Sequence, residues 1–181
     1  VSRNYKNFIV VINAGGVIDV SFLDTLHVSA LVYYVQGGEE GGNAFADIVS
    51  GKVTPSGKLT DTWGKDYYDY PCADEFGILG DVLNQDYKEG IFVGYRWFDA
   101  NGLVPRWPFG YGLSYADFEI AAQKTQIAGT TVTVTASVQN VSSTYSGKEV
   151  VQLYIAKPNG KLCKERKALA AFCKFLASIS S

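Results

Sequence analysis

The sequence predicts an α/β fold that passes, after a long connecting strap, into a short antiparallel β module. Three observations carry this reading. Two continuous apolar runs, "NFIVVINAGG" and "VSALVYYVQGG", each end in glycines, which is how strands buried on both faces of a mostly parallel sheet read. Residues 64–115 are crowded with Gly, Pro, Asp and aromatics, the composition of a long ordered connection. From about residue 116, β-branched and small residues alternate at period two, the mark of half-buried strands.

Each element follows in order. Between the two apolar runs, "VIDVSFLDTL" has room for one or two helical turns. After the second run, "NAFADIVSG" predicts a helix, with Asn43 as N-cap and Gly51 just past its end, the residue types those positions favour. "PSGKLTDTW" reads as a Pro-Ser-Gly turn followed by a strand. Within the strap, "GIFVGYRWF" predicts a brief strand. Beyond it, "TTVTVTASVQNVS" and "KEVVQLYIAK" are two strands joined by a turn at "STYSGK". Three or four strands fit here, whereas an immunoglobulin-like sandwich needs about seven, so the module reads as cut short. The expected division is 1–115 and 116–181.

Bulk properties exclude several function classes. The 181 residues suffice for one compact domain or one and a half small ones. A hydrophobic content of 47% with 12 Tyr, 10 Phe and 3 Trp is ample for a core. The formal charge of −2 gives no electrostatic reason to expect nucleic acid or an anionic membrane surface. "KLCKERK" at 161–167 reads as a solvated loop or strand end. No run of 18 apolar residues occurs, so no membrane-spanning helix is expected. Cys72, Cys163 and Cys173 are odd in number and lack CxxC spacing, which argues against thiolate zinc and a disulfide framework. A Cys163–Cys173 pair stays open. His27, the single histidine, leaves little material for a triad or metal site, and is read as a turn or partly buried structural residue. No metal or cofactor is expected. The start, "VSRNYKNFIVV", lacks the regions of a signal peptide and an initiator Met. The expectation is an internal piece of a longer protein, its compartment open between cytoplasm and exterior.

"QGGEEGGNAFADIVSGKVTPSGKL" at 36–59 raises a nucleotide-binding alternative. A Walker loop needs G-x-x-x-x-G-K-[ST], its backbone N–H groups cradling phosphate. Here five residues separate Gly51 from Gly57, Lys58 is followed by Leu59, and Pro55 brings no N–H. G-x-G-x-x-G is absent. The glycines read instead as a tight strand-to-helix turn with close backbone approach.

Taken together and in this order, "VVINAGG", "QGGEEGGNAFADIVSGKVTPSGKLTDTW", "KEGIFVGYRWFD", "PFGYGLSYADFE" and "GKEVVQLYI" resemble glycoside hydrolase family 3. That family holds β-glucosidases, β-xylosidases and N-acetyl-β-glucosaminidases, and the resemblance covers roughly residues 8–174. It implies a barrel carrying the nucleophilic aspartate, a three-layer α/β sandwich domain carrying the acid/base glutamate, and a closing fibronectin-III-like module. The resemblance implies that this chain is the second half of the α/β sandwich plus the start of an incomplete fibronectin-III-like module. "KFLASISS" departs from the family pattern, as a premature stop, frameshift or truncation would. The wording around 157–174 is similar to members with permuted domain order.

A retaining glycosidase needs two carboxyl groups about 5–5.5 Å apart. The resemblance places the nucleophile on the barrel and the acid/base glutamate upstream of residue 1, so neither catalytic residue maps onto this chain. Glu39 and Glu40 flank the glycine turn, where a helix N-terminus favours carboxylates. Glu89 reads as a partner of a backbone amide or of Arg96. Trp63, Trp97, Trp107 and Phe109 could rim a sugar pocket, but core and strap positions are the stronger reading. Asn140-Val141-Ser142 fits a glycosylation sequon. The implied substrate of the parent is a β-linked glucoside or oligosaccharide, and the implied partner is the missing barrel. The fragment itself is expected to be inactive and to self-associate, because half a sandwich leaves strand edges and an apolar face uncovered.

Overall fold

The computed structural model describes residues 3–77, 83–84, 86–156, 158 and 160–179. The parts of the predicted strap at 78–82 and 85 lie outside the described residues. The chain divides into two units: residues 1–45, 59–111 and 156–168 form the first, and residues 46–58, 112–155 and 169–181 the second.

In the first unit, the β-branched "IVVI" adopts extended chain, as stiff χ1 rotamers favour. It forms β1, Ile9–Ile12, which pairs in parallel with β2, Ala30–Tyr33, from Ile9↔Ala30 to Ile12↔Tyr33. A parallel pair requires a crossover, and the intervening segment spends one 3₁₀ turn, Ser21–Asp24, on it. Burial departs from the sequence expectation. Ile9 and Val11 are 44% and 43% exposed while Ile12 is buried. The reason is that β1 and β2 form a two-stranded sheet, and the core of Ile12, Val20 and Trp63 draws in Val10, Leu31 and Tyr33. One face is covered.

Helix α1, Gly41–Val49, begins in the first unit and ends in the second. Asn43 is not its N-cap but lies inside the first turn. The Glu40 carbonyl already accepts from the Ala44 N–H, and the Asn43 amide donates to the Glu40 carboxylate at 2.6 Å. Gly51 stands past the end as expected, with φ +77°, its N–H donated to the Ile48 carbonyl.

Two predicted strands of the first unit take other forms. Residues 59–63 make only an isolated bridge, Trp63↔Trp107, with further bonds from Leu59 N–H to Tyr111 O and from Gly110 N–H to Leu59 O. The facing segment contains Pro108, which has no N–H to offer a ladder, and Gly110 at φ +83°. "GIFVGYRWF" holds helix α2, Tyr95–Asn101, instead of a strand. Gly94 (φ 56°, ψ −136°) and Gly102 (φ 63°, ψ 25°) delimit it in backbone regions that favour glycine. Phe98, 2% exposed, is its buried face, and Trp97 Nε1 donates to the Asp69 carbonyl at 2.9 Å. Asp69 closes a second 3₁₀ turn, Tyr67–Asp69, held by a reciprocal capping box with Asp66.

The second unit carries two ladders. β3, Phe118–Ala128, and β4, Thr131–Asn140, form an antiparallel hairpin with an irregularity between Ala122 and Lys124. Gly129, φ +60°, makes the turn. β5, Gly147–Ala156, pairs with β6, Lys167–Ala177. "STYSGK" therefore links two different sheets and is not a hairpin between β4 and β5. The Tyr145 carbonyl inside it accepts from the Asn140 side chain, which fixes the turn at the end of β4. Among the described residues no helix is long and apolar enough to cross a membrane.

Candidate functional site

Open parallel sheets place ligands beyond the carboxyl ends of their strands, so the segments after β1 and β2 come first. Tyr34 N–H extends the ladder to the Ile12 carbonyl at 2.8 Å. Val35 follows at φ +57°, a left-handed conformation uncommon for a β-branched residue. Gln36 lies against Gly15, where a Cβ would stand 3.3 Å from Nε2. The Tyr34 ring occupies the space that side chains at Gly37 and Gly41 would need, and meets Phe45 edge-on at 5.9 Å. This settles the glycine-rich stretch: the missing Cβ atoms seat a tyrosine. Glu39 and Glu40 flank the same turn, and Glu40 is tied to Asn43.

Lys58, the lysine of the Gly-Lys pair, serves the second unit. Its Nζ donates to the Gly112 carbonyl at 2.7 Å and lies 2.9 Å from a Glu149 carboxylate oxygen. The two side chains are 15% and 13% exposed, so breaking the pair strands a largely buried charge at a cost of roughly 3 kcal/mol. Gly112 packs so closely on the Gly57 carbonyl that a Cβ has no room. A shallow hollow of about 270 Å³ beside Gly112 and Glu149 is lined also by Ser114, Asp117 and Phe118. Its carboxylate at Glu149 already has a partner.

The structure brings Asp19 and Asp24 together around Arg106. The Arg106 guanidinium donates to both oxygens of Asp24, at 2.9 and 2.7 Å. That bond holds the Asp24 carboxyl below its ordinary range, and the Ser21 backbone N–H does the same for Asp19. A general acid needs its pKa raised; both groups move the other way. Glu89 is half-buried and makes no ion pair with Arg96, whose guanidinium stands 5.3 Å from the Tyr95 ring centroid. Partial burial and the nearby Glu89 and Glu75 carboxylates push the Cys72 thiol up.

Of the aromatic candidates, Trp63 lies in the core of the first unit and Trp107 packs against it, while Trp97 and Phe109 are half-buried outside that cluster. Trp63, 2% exposed, meets Tyr33 edge-on at 5.2 Å and Trp107 at 5.6 Å, and Trp107 stacks on Tyr111 at 6.3 Å. Phe109 packs against Tyr95 at 5.6 Å, and Trp97 is engaged through its indole N–H. His27 is exposed in the segment leading to β2. Cys72, Cys163 and Cys173 are free thiols. The pairs Arg106–Asp24 and Lys58–Glu149 were not predicted from the sequence. They span 82 and 91 residues, beyond any local pattern.

Comparison with known proteins gives this arrangement its context. Residues 1–115 match the model of the glycosyl hydrolase family 3 C-terminal domain. Over 96% of the chain, the sequence is 44% identical to a β-glucosidase of Ruminococcus albus, covering 18% of that protein. An exo-α-(1→6)-L-arabinopyranosidase of Bifidobacterium breve is 38% identical over 96% of the chain and 23% of its own length. Among solved structures, a β-glucosidase from Paenibacillus barengoltzii superimposes with TM-score 0.89 at 39% identity, over 98% of this chain and 20% of that one. The chain thus spans about a fifth of the length of such relatives. Its strands, its few helices and its sequence agree with theirs, and the chain belongs to glycosyl hydrolase family 3.

Proposed function

We propose that the protein to which this chain contributes hydrolyses terminal β-linked glucosides with retention. Residues 1–115, with the strap at 64–115, supply the second half of an α/β sandwich domain, and residues 116–181 the start of a fibronectin-III-like module. The 44% identity to a β-glucosidase over 96% of the chain carries this reading. Retention runs through a covalent glycosyl-enzyme intermediate, with one carboxylate as nucleophile and a second carboxyl group as acid and then base. Both belong to the remainder of the protein, the nucleophile to a barrel. Two of this chain's acidic side chains hold structure: Asp24 grips Arg106, and Glu149 grips Lys58. With both carboxyl groups supplied from elsewhere, the isolated chain is inactive in this reading.

An aryl β-D-glucoside assay on the full-length protein and on the purified 181-residue chain tests this. Turnover is expected from the first alone. Cleavage by the contaminant-free chain would overturn the assignment of both carboxyl groups elsewhere. The arabinopyranosidase relative at 38% identity supports a second reading of the substrate, so the full-length protein is also tested on an aryl α-L-arabinopyranoside. Calorimetric heat with glucose, cellobiose or laminarin, without turnover by the full-length protein, would make the chain part of a binding or scaffold module instead.

A further inference from the structure

A sequon predicts an asparagine on a surface loop, yet Asn140 of Asn140-Val141-Ser142 is 3% exposed. Its carboxamide is fully engaged. Nδ2 donates to the Tyr145 carbonyl at 2.8 Å and to the Ala177 carbonyl at 3.2 Å. Oδ1 accepts from the Ser142 N–H at 2.9 Å and lies against the Ser142 hydroxyl. Two N–H donors and two lone-pair positions are all that a carboxamide has. The partners come from the turn after β4 and from the last residue of β6, all within the second unit.

We infer that Asn140 is the pin joining the end of β4 to its turn and to β6, and that folding and N-glycosylation at this sequon exclude each other. N-linked transfer forms a bond from Nδ2 to the anomeric carbon of a lipid-pyrophosphate-linked oligosaccharide. The bond from that carbon to the pyrophosphate oxygen breaks, and Nδ2 gives up one proton. A single N–H is left for two carbonyls. The oligosaccharide must then stand where Tyr145 O or Ala177 O now approaches, in a place closed to solvent. A chain modified before folding cannot close the turn, and a folded chain offers no free nitrogen.

The test uses the purified chain with a eukaryotic oligosaccharyltransferase and its lipid-linked donor, comparing native protein with protein freshly diluted from urea. Modification of the native form is expected to be at least roughly 100-fold slower, limited by local opening. The glycosylated product should lack the thermal transition of the unmodified chain. Ser142→Ala removes the sequon but leaves both Nδ2 bonds, so it should stay unmodified, keep a transition, and accumulate folded when secreted by a glycosylating host, where the wild type does not. Equal modification rates for native and unfolded chain would overturn the inference. So would a glycosylated wild type that melts like the unmodified protein.

Discussion

Gly41 shows how much a single hydrogen atom in place of a methyl can decide. Alanine at a helix position ordinarily stabilises by up to about 1 kcal/mol relative to glycine. Here the added Cβ meets the Tyr34 hydroxyl first, and overpacking of this kind costs roughly 1–3 kcal/mol. Gly41→Ala is therefore expected to lower the urea midpoint, opposite to propensity. In a Tyr34→Phe background, which deletes the clashing oxygen, the penalty should shrink, and a double-mutant cycle reads the coupling. An unchanged penalty in that background would show that Tyr34 is not what Gly41 accommodates. The glycine cluster was visible in the sequence, and so was its service to a close-packed turn. The tyrosine that fills it was not, because Tyr34 reads equally well as the end of an apolar strand. Lys58 was legible only as one half of a motif that failed; its partner Glu149 lies 91 residues away.

Local pattern was sufficient for elements made by local interactions. β1, β2, the 3₁₀ turn between them, α1, β4 and β5 all stand where periodicity and turn residues put them. α2 is hidden in the sequence because "IFVGYRWF" is rich in residues of high β propensity, a preference that tertiary context overrides. The deciding facts are the backbone angles of Gly94 and Gly102 and the anchor from Trp97 to Asp69, 28 residues away. The 3₁₀ turn at Ser21–Asp24 is fastened in a similar non-local way, by Asp24 to Arg106. The Asp24 carboxyl is lowered from 3.8 by that bond. A carboxyl held lower in the folded state than in the unfolded contributes stability that is complete above the unfolded value, about pH 4, and is lost as pH falls through the folded value. Melting temperature should thus decline below about pH 4, and Asp24→Asn should lose part of that acid limb while showing a lower plateau at neutral pH. An acid limb as steep in Asp24→Asn as in the wild type would remove the pair from the account.

At the scale of the whole molecule, core is sparse. Among the described residues the buried apolar side chains are Ile12, Val20, Trp63, Phe98 and Ala116. Ile127, Phe172 and Leu176 stand 74%, 72% and 68% exposed on β3 and β6. Apolar surface left on short ladders invites pairing with another chain. Sedimentation of the isolated chain is expected to show dimers or larger species at micromolar concentration, dissociating on dilution; a monomer throughout that range would contradict this. The exposed apolar surface on these ladders was legible in the small number of strands available to the β module. The sequence did not indicate that β1 would also be open on one side, since its unbroken apolar run reads as fully enclosed.

The aromatic cluster around Trp63 has an optical consequence. All three tryptophans, Trp63, Trp97 and Trp107, lie in the first unit, while the second contains tyrosines such as Tyr115, Tyr145 and Tyr154 and no indole. Selective excitation of tryptophan therefore watches one unit and is blind to the other. Set beside far-ultraviolet dichroism, which registers the long strands of the second unit, it tells whether the two halves lose their structure in one event or in two.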